Sequence, residues 1–358
     1  MPDANAQPGQ DFEKALADSP TGVATFESHE RSFIGRIQHA LHSNPASVPL
    51  IVLVLSLAVF GVLLGSRFFS AFTLTLILQQ VAIVGIVGAA QTLVVLTAGI
   101  ELSVGAIMVL SSVVMGQVAF RYGLPAPVAI FAGFSVGALC GAINGFLISY
   151  VRLPPFIVTL GTWQVFLAVN YLYSANETIR SQDIAAEAPL LQIFGTSFRF
   201  GGAVFTWGVV VLVLLVIALN YLLNHTAWGR HVYAIGDDPE AAELSGVQVK
   251  KMIVSVYVLA GLICALAGWV MIGRLGSVSP QSGQFANIES ITAVVIGGIS
   301  LFGGRGSILG MLFGALIVGV FNLGLRIYGT DPQWTYMLIG LLIIGAVAID
   351  QWIRRVSA

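Results

Sequence analysis

NHTAWGRHVYAIGDDPEAAELSGVQVKK, residues 224–251, is the longest charged and polar run in the body of a chain that is otherwise nearly all apolar. Within it, DDPEAAELSG has the grammar of one short helix. The Asp238 carboxylate can accept from the orphan amides of a first turn. Pro239 suits the first helical position, where no amide donor is required. Glu240 and Glu243 favour the positive end of the helix dipole, and Gly246, after Ser245, is a natural stop. The reading predicts about two turns exposing Ala241, Ala242 and Leu244, too short to be stable alone in water. The flanking apolar segments offer no evident support, so a partner protein is expected to hold this helix.

Outward from that stretch, the composition is that of a membrane. Of 358 residues 57% are hydrophobic and 9% charged, and the net charge is −1; soluble domains carry about 25% charge. The expected class is an all-α polytopic membrane protein in contact with lipid. The near-neutral balance argues against a nucleic-acid partner. Cys140 and Cys264 lie in apolar runs without CxxC spacing and read as small buried hydrophobes, with no redox or metal role. Residues 1–30 are polar and acidic and carry no signal-peptide pattern. The 40 glycines point to close helix packing and broken helices.

Residues 1 to about 27 have no apolar period and read as disordered. From His29 to His42, Phe33, Ile34, Ile37 and Leu41 share a helical face, which fits either a short interfacial helix or a loosely helical linker. Ten candidate spans follow: 48–66, 72–97, 102–120, 126–149, 156–173, 205–223, 252–272, 287–302, 307–326 and 334–352. The eighth is short and Gly-rich. With the N-terminus in the cytoplasm, Lys14, Arg31, Arg36, Arg152, Arg230, Lys250, Lys251, Arg305, Arg354 and Arg355 fall on that side. Arg67, Arg121, Arg180, Arg199, Arg274 and Arg326 fall on the other. Ten against six has the sign of the positive-inside rule, and it places residues 224–251 and both termini in the cytoplasm. The outer loop 174–204 holds a polar helical stretch, SQDIAAEAPLL, and is either a docking surface or a plain solvated loop.

GALCGAINGFLI (137–148) and GALIVGVFNLGL (314–325) each carry GAL, a Gly and a late Asn, Asn144 and Asn322. Five spans separate them, so they run oppositely, as in the inverted repeats of transporters. No lysine sits in GxxxxGK[ST], so the chain lacks a phosphate-cradling loop of that type. GFSVG (133–137) lies in an apolar span with no preceding strand, which removes the nucleophile-elbow reading. GGRGSILG (303–310) reads as a tight cytoplasmic turn with Ser307 opening the next helix. No metal or cofactor site is indicated, and no catalytic set.

Intramembrane acids are costly and therefore functional candidates. Glu101, in GIELSVGA with Ser103 as a cap, fits a break or re-entrant turn, against the alternative of a cytoplasmic turn between spans two and three. Glu289 sits at the mouth of span eight. Gln80, Gln91, Asn144, Asn287 and Asn322 complete a candidate polar pathway, since a neutral polyhydroxyl solute can exchange hydrogen bonds with such groups; interhelical bonding is the alternative for each.

Four motifs in order, GIELSVGA (99–106), NGFLISYVRLPPFIVTLGT (144–162), TAWGRHVYAIGDDPEAAELSGV (226–247) and ITAVVIGGISLFGGRGSILGMLFGALIVGV (291–320), resemble the permease subunit of ribose/xylose/arabinose-type ABC sugar importers, and within that family bacterial fructose permeases. The family more often has Asp where Glu101 stands. The resemblance implies a permease working in the bacterial inner membrane as a pair, with a second copy or a related subunit. It implies ABC ATPase subunits on the cytoplasmic face and a periplasmic sugar-binding protein outside. It maps the family's coupling helix onto Asp238–Gly246. The expected organisation is a cytoplasmic tail (1–47), a permease domain (48–352) including the loop 224–251, and a short C-terminus (353–358).

Overall fold

The computed structural model describes residues 46–200 and 203–357. These all belong to one unit, Asn44–Ala358. The expected polar tail (1–27) and interfacial helix (29–42) lie outside the described residues.

The chain runs α1 (Ser47–Leu64), α2 (Ala71–Leu96), α3 (Val104–Phe120), α4 (Ala126–Ser149), α5 (Pro155–Ser174), α6 (Ser181–Glu187), β1 (Ser197–Phe200), β2 (Ala203–Thr206), α7 (Trp207–His225), α8 (Ala227–Asp237), α9 (Pro239–Leu244), α10 (Val249–Leu275), α11 (Ala286–Ile296), α12 (Ile308–Tyr328) and α13 (Pro332–Ser357). Among the described residues seven helices, α1, α2, α4, α5, α7, α10 and α12, are long and apolar enough to cross a membrane. The other three candidate spans are shorter apolar helices: α3, α11 and residues 333–345 of α13. The eighth candidate, 287–302, is corrected by its glycines. α11 ends at Ile296, and Gly298 (φ +74°) turns the chain out of the helix. Eleven residues rise about 16 Å, roughly half the ~30 Å hydrocarbon layer.

The all-α expectation also needs amending. The loop 174–204 carries a β-hairpin, β1 against β2 in antiparallel register from Ser197↔Thr206 to Phe200↔Ala203. The helical reading of SQDIAAEAPLL holds for α6 only; Pro189 then opens a 3-10 turn, Pro189–Gly195. This loop is fastened rather than merely solvated. Ile184 and Leu191 are buried, and Gln192 Nε2 donates to the carbonyl oxygens of Ser181 (3.0 Å) and Gly276 (2.7 Å).

The core is built on α4 and α10, the most extensive helix pair in the molecule. Gly137, Gly141 and Gly145 of α4 recur every four residues and so line one stripe. A Cβ on Gly141 would run into the Tyr257 carbonyl oxygen, and one on Gly261 into that of Gly137. Small residues let the backbones touch, which is how membrane helices gain dispersion energy without a hydrophobic drive. Cys140 and Cys264 are buried free thiols in this layer. Gly141→Ala is therefore expected to force the pair apart and cost about 1–3 kcal/mol, read as a lower midpoint of thermal unfolding in detergent. Gly161, with nothing within 4 Å of an added Cβ, serves as the control and should tolerate Ala.

Candidate functional site

Two features carry chemistry: a polar seam inside the helix bundle and a short helix outside it.

The seam begins where α2 stops. Ala98 takes a left-handed conformation (φ +59°), and residues 97–103 run without helix before α3 starts. Glu101 lies in this break, 1% exposed. Its carboxylate accepts from the Ser103 backbone N–H at 2.7 Å, from the Ser103 hydroxyl, and from Asn144 Nδ2 of α4 at 2.8 Å. Glu101 thus lies buried in a non-helical stretch between α2 and α3, and Glu101, Ser103 and Asn144 form one cluster. Ser103 does not cap α3 with its side chain: its hydroxyl donates to Glu101, and its oxygen accepts from Asn144 Nδ2 at 3.0 Å instead. The cap comes from far along the chain: Gly105 N–H donates to Asn287 Oδ1 at 2.6 Å. α3 and α11 therefore meet start to start. On α11, Glu289 Oε1 accepts from Asn322 Nδ2 of α12 at 3.2 Å, and Arg274 at the end of α10 supplies an opposite charge.

Two expected pathway residues stay outside these clusters. Gln80 is half-buried and makes no side-chain hydrogen bond, and Gln91 is buried with neither amide atom partnered among the described residues. The sequence reading missed Thr159, whose hydroxyl donates to the Ile100 carbonyl at 2.8 Å and ties α5 to the break. It also missed Tyr257, whose hydroxyl is buried beside Gly99. A lone tyrosine in the apolar run of α10 was the available signal.

The second feature is α9. Asp238 accepts from the amides of Glu240 (2.9 Å) and Ala241 (3.0 Å), the predicted cap. At the other end Gly246 N–H donates to Glu243 O and Val247 N–H to Ala242 O. These are the paired bonds of a Schellman stop, for which Gly246 adopts φ +88°. Two expectations are corrected here. Ala242 is buried, so Ala241 and Leu244 alone are the exposed apolar pair. The helix also has support within the chain: the 224–251 run contains a second helix, α8, that the charge pattern hid.

Thr226 caps α8 by accepting from Gly229 N–H at 3.2 Å, and Val232, Ile235 and Gly236 face inward. Gly236 presses on the Leu96 carbonyl at the end of α2. Tyr233 donates its hydroxyl to Gly306 O at 3.0 Å; burial pushes that phenol up from its ordinary range, so it stays a neutral donor. The 303–310 turn is glycine-shaped as expected, and Ser307 caps α12 by accepting from Gly310 N–H at 3.0 Å. α9 is thereby fastened through α8 to the residues just before the Glu101 break. Beside it opens a cavity of about 460 Å³ lined by Trp228, His231, Gln248 and Lys251 among others. No cluster of three or more metal-ligating side chains occurs among the described residues.

Residues 73–347 match the family model described as branched-chain amino acid transport system / permease component. The chain is 73% identical over 353 residues to the fructose import permease protein of Rhizobium meliloti, covering 99% of this chain and 98% of that one. It is 37% identical over 289 residues to the ribose import permease protein of Bacillus subtilis, with 81% and 88% covered. With the D-allose transport system permease protein of Escherichia coli the identity is 34% over 310 residues, with 85% and 91% covered. No solved structure matches.

Proposed function

This chain belongs to the branched-chain amino acid transport system / permease component family, and from that membership we propose that it is the membrane permease of an ATP-driven importer of a monosaccharide, fructose first. One observation carries the substrate class: 73% identity across 99% of the chain to a fructose import permease. The family description names amino acids, but the relatives named above carry sugars in their names. The chain is a multi-pass protein of the inner membrane. Its partners are ATPase subunits on one face and a substrate-binding protein on the other. The chain's only lysines are Lys14, Lys250 and Lys251, and none stands in a nucleotide-binding loop, so ATP is hydrolysed on another chain.

Two copies enclose the pathway, and α9 is the coupling helix, cytoplasmic like both termini. α3, α11 and α13 join the seven long helices, with α11 reaching only part of the way across. An inverted repeat is supported by two matching pairs, Glu101–Asn144 and Glu289–Asn322. Each joins an acid at a helix start to the asparagine of one GAL…N motif. Helix starts that meet inside a bundle suit a transport site, because their amides and the side chains capping them can exchange partners with a solute. Movement of α9 would reach the Glu101 break through α8 and the end of α2.

The test is reconstitution with the cognate ATPase and binding protein in vesicles, with labelled fructose. Uptake should require ATP and all three components. Uptake that persists without the ATPase would make the chain a facilitator instead.

A further inference from the structure

Where the starts of α3 and α11 meet, α5 and residues 280–284 close a cavity of about 30 Å³, room for one or two water-sized groups. Trp163 and Tyr171 of α5 line one side, and Ser282, Gln284 and Asn287 the other. No acidic or basic side chain lines it.

Its polar groups are held ready. Asn287 is 6% exposed, and its amide orientation is fixed by chemistry: Gly105 N–H at 2.6 Å can be answered only by the carbonyl oxygen. The Nδ2 donor is left over and has no acceptor among the described residues. Trp163 Nε1 is in the same position. Two other tryptophans do donate, Trp228 to Ser255 Oγ at 2.9 Å and Trp269 to Leu190 O at 3.3 Å. The Gln284 amide makes no hydrogen bond among the described residues either. Three N–H groups without acceptors, next to two aromatic rings and no charge, form a poor site for an ion or a purely apolar ligand. Donors that face this opening without acceptors are free to bind oxygen, each such bond contributing about 0.5–1.5 kcal/mol, so a group that supplies oxygen atoms suits it. A carbon carrying a hydroxyl meets both demands, since its oxygen accepts from the amides while its C–H edge lies on the indole.

We propose that this notch seats one hydroxyl-bearing edge of the translocated monosaccharide, with Asn287, Trp163 and Gln284 donating to it and Trp163 and Tyr171 packing against its carbon. This rests on the sugar-import reading above and adds the residues that would grip the cargo. The notch is too small for a whole ring, so the remainder of the sugar lies outside it. Asn287 also caps α3, so filling the notch bears directly on the contact between the two helix starts.

The experiment uses the full assembly in vesicles, with Gln284→Ala and Trp163→Phe made singly and together. Gln284 is exposed, and Trp163→Phe keeps a ring while removing the N–H, so both variants should fold. ATP hydrolysis stimulated by sugar-loaded binding protein should stay within about twofold of wild type, because neither residue approaches α8 or α9. Fructose imported per ATP hydrolysed should fall about tenfold in the double variant, the effect of losing one to two hydrogen bonds. Wild-type uptake per ATP in the double variant would overturn the notch and leave the transport reading standing. Failure of the wild-type assembly to import any monosaccharide would overturn both. A parallel fall in hydrolysis and uptake would mark a structural effect and count against the notch.

Discussion

Leu244→Asp is expected to cut ATP-driven uptake by more than tenfold while leaving the protein folded and inserted. Leu244 is 90% exposed at the end of α9, so its replacement removes almost no contact within the chain. The helix keeps its Asp238 cap and its Gly246 stop. What the substitution changes is the outward surface. Fully burying a leucine in a partner's cleft contributes about 1.5–3 kcal/mol, and a carboxylate forced into the same apolar cleft adds a desolvation cost. A loss of about 2 kcal/mol alone weakens association roughly thirtyfold. Co-purification of the ATPase should fall in step with uptake, and Leu244→Met should restore much of both. Asp238→Ala should do less, about 1 kcal/mol of helix stability, because the Schellman bonds still hold the other end. Unchanged ATPase recovery with Leu244→Asp would remove α9 from the coupling interface.

The parts of this fold that follow from local chemistry were legible in the sequence. The cap and stop of α9 depend on Asp238, Pro239 and Gly246 within nine positions of one another, and Ser307 likewise caps the helix it precedes. Long apolar runs gave the seven long helices for the same reason. What escaped depends on partners far along the chain. The cap of α3 is Asn287, 182 residues away, while the nearby Ser103 is diverted to Glu101. α8 escaped because its apolar positions, Val232, Ile235 and Gly236, are interleaved with Arg230, His231 and Asp237, and its inward face becomes evident only against Leu96 and Gly306. The notch residue Trp163 gave no sequence signal, since a tryptophan in an apolar helix has many uses. The GAL…N echo was legible as a pattern; that each asparagine holds an acid was not.

Those two acid–asparagine pairs are matched in connectivity but not in environment, and the difference fixes the order of their effects. Glu101→Ala is expected to be the more damaging by a wide margin. Glu101 is 1% exposed and accepts three hydrogen bonds. Truncation strands the Ser103 amide and one Asn144 donor in a dry interior, at about 1–3 kcal/mol for each unsatisfied group. A total of about 2–6 kcal/mol is a large share of a typical stability of about 5–15 kcal/mol. Glu289 is only half-buried and accepts a single bond at 3.2 Å, so Glu289→Ala should cost about 1 kcal/mol or less. Glu101→Gln should fall between them. One oxygen still answers Ser103, and the new amide can donate to Asn144 Oδ1, which is buried and unpartnered among the described residues, once the Asn144 amide flips. That flip strands Asn144 Nδ2 in exchange, so the gain is partial. Thermal unfolding of the three variants in one detergent ranks them directly, with uptake following the same order. Equal losses for Glu101→Ala and Glu289→Ala would mean that water already reaches the Glu101 break, and that its hydrogen bonds do not hold α2, α3 and α4 together.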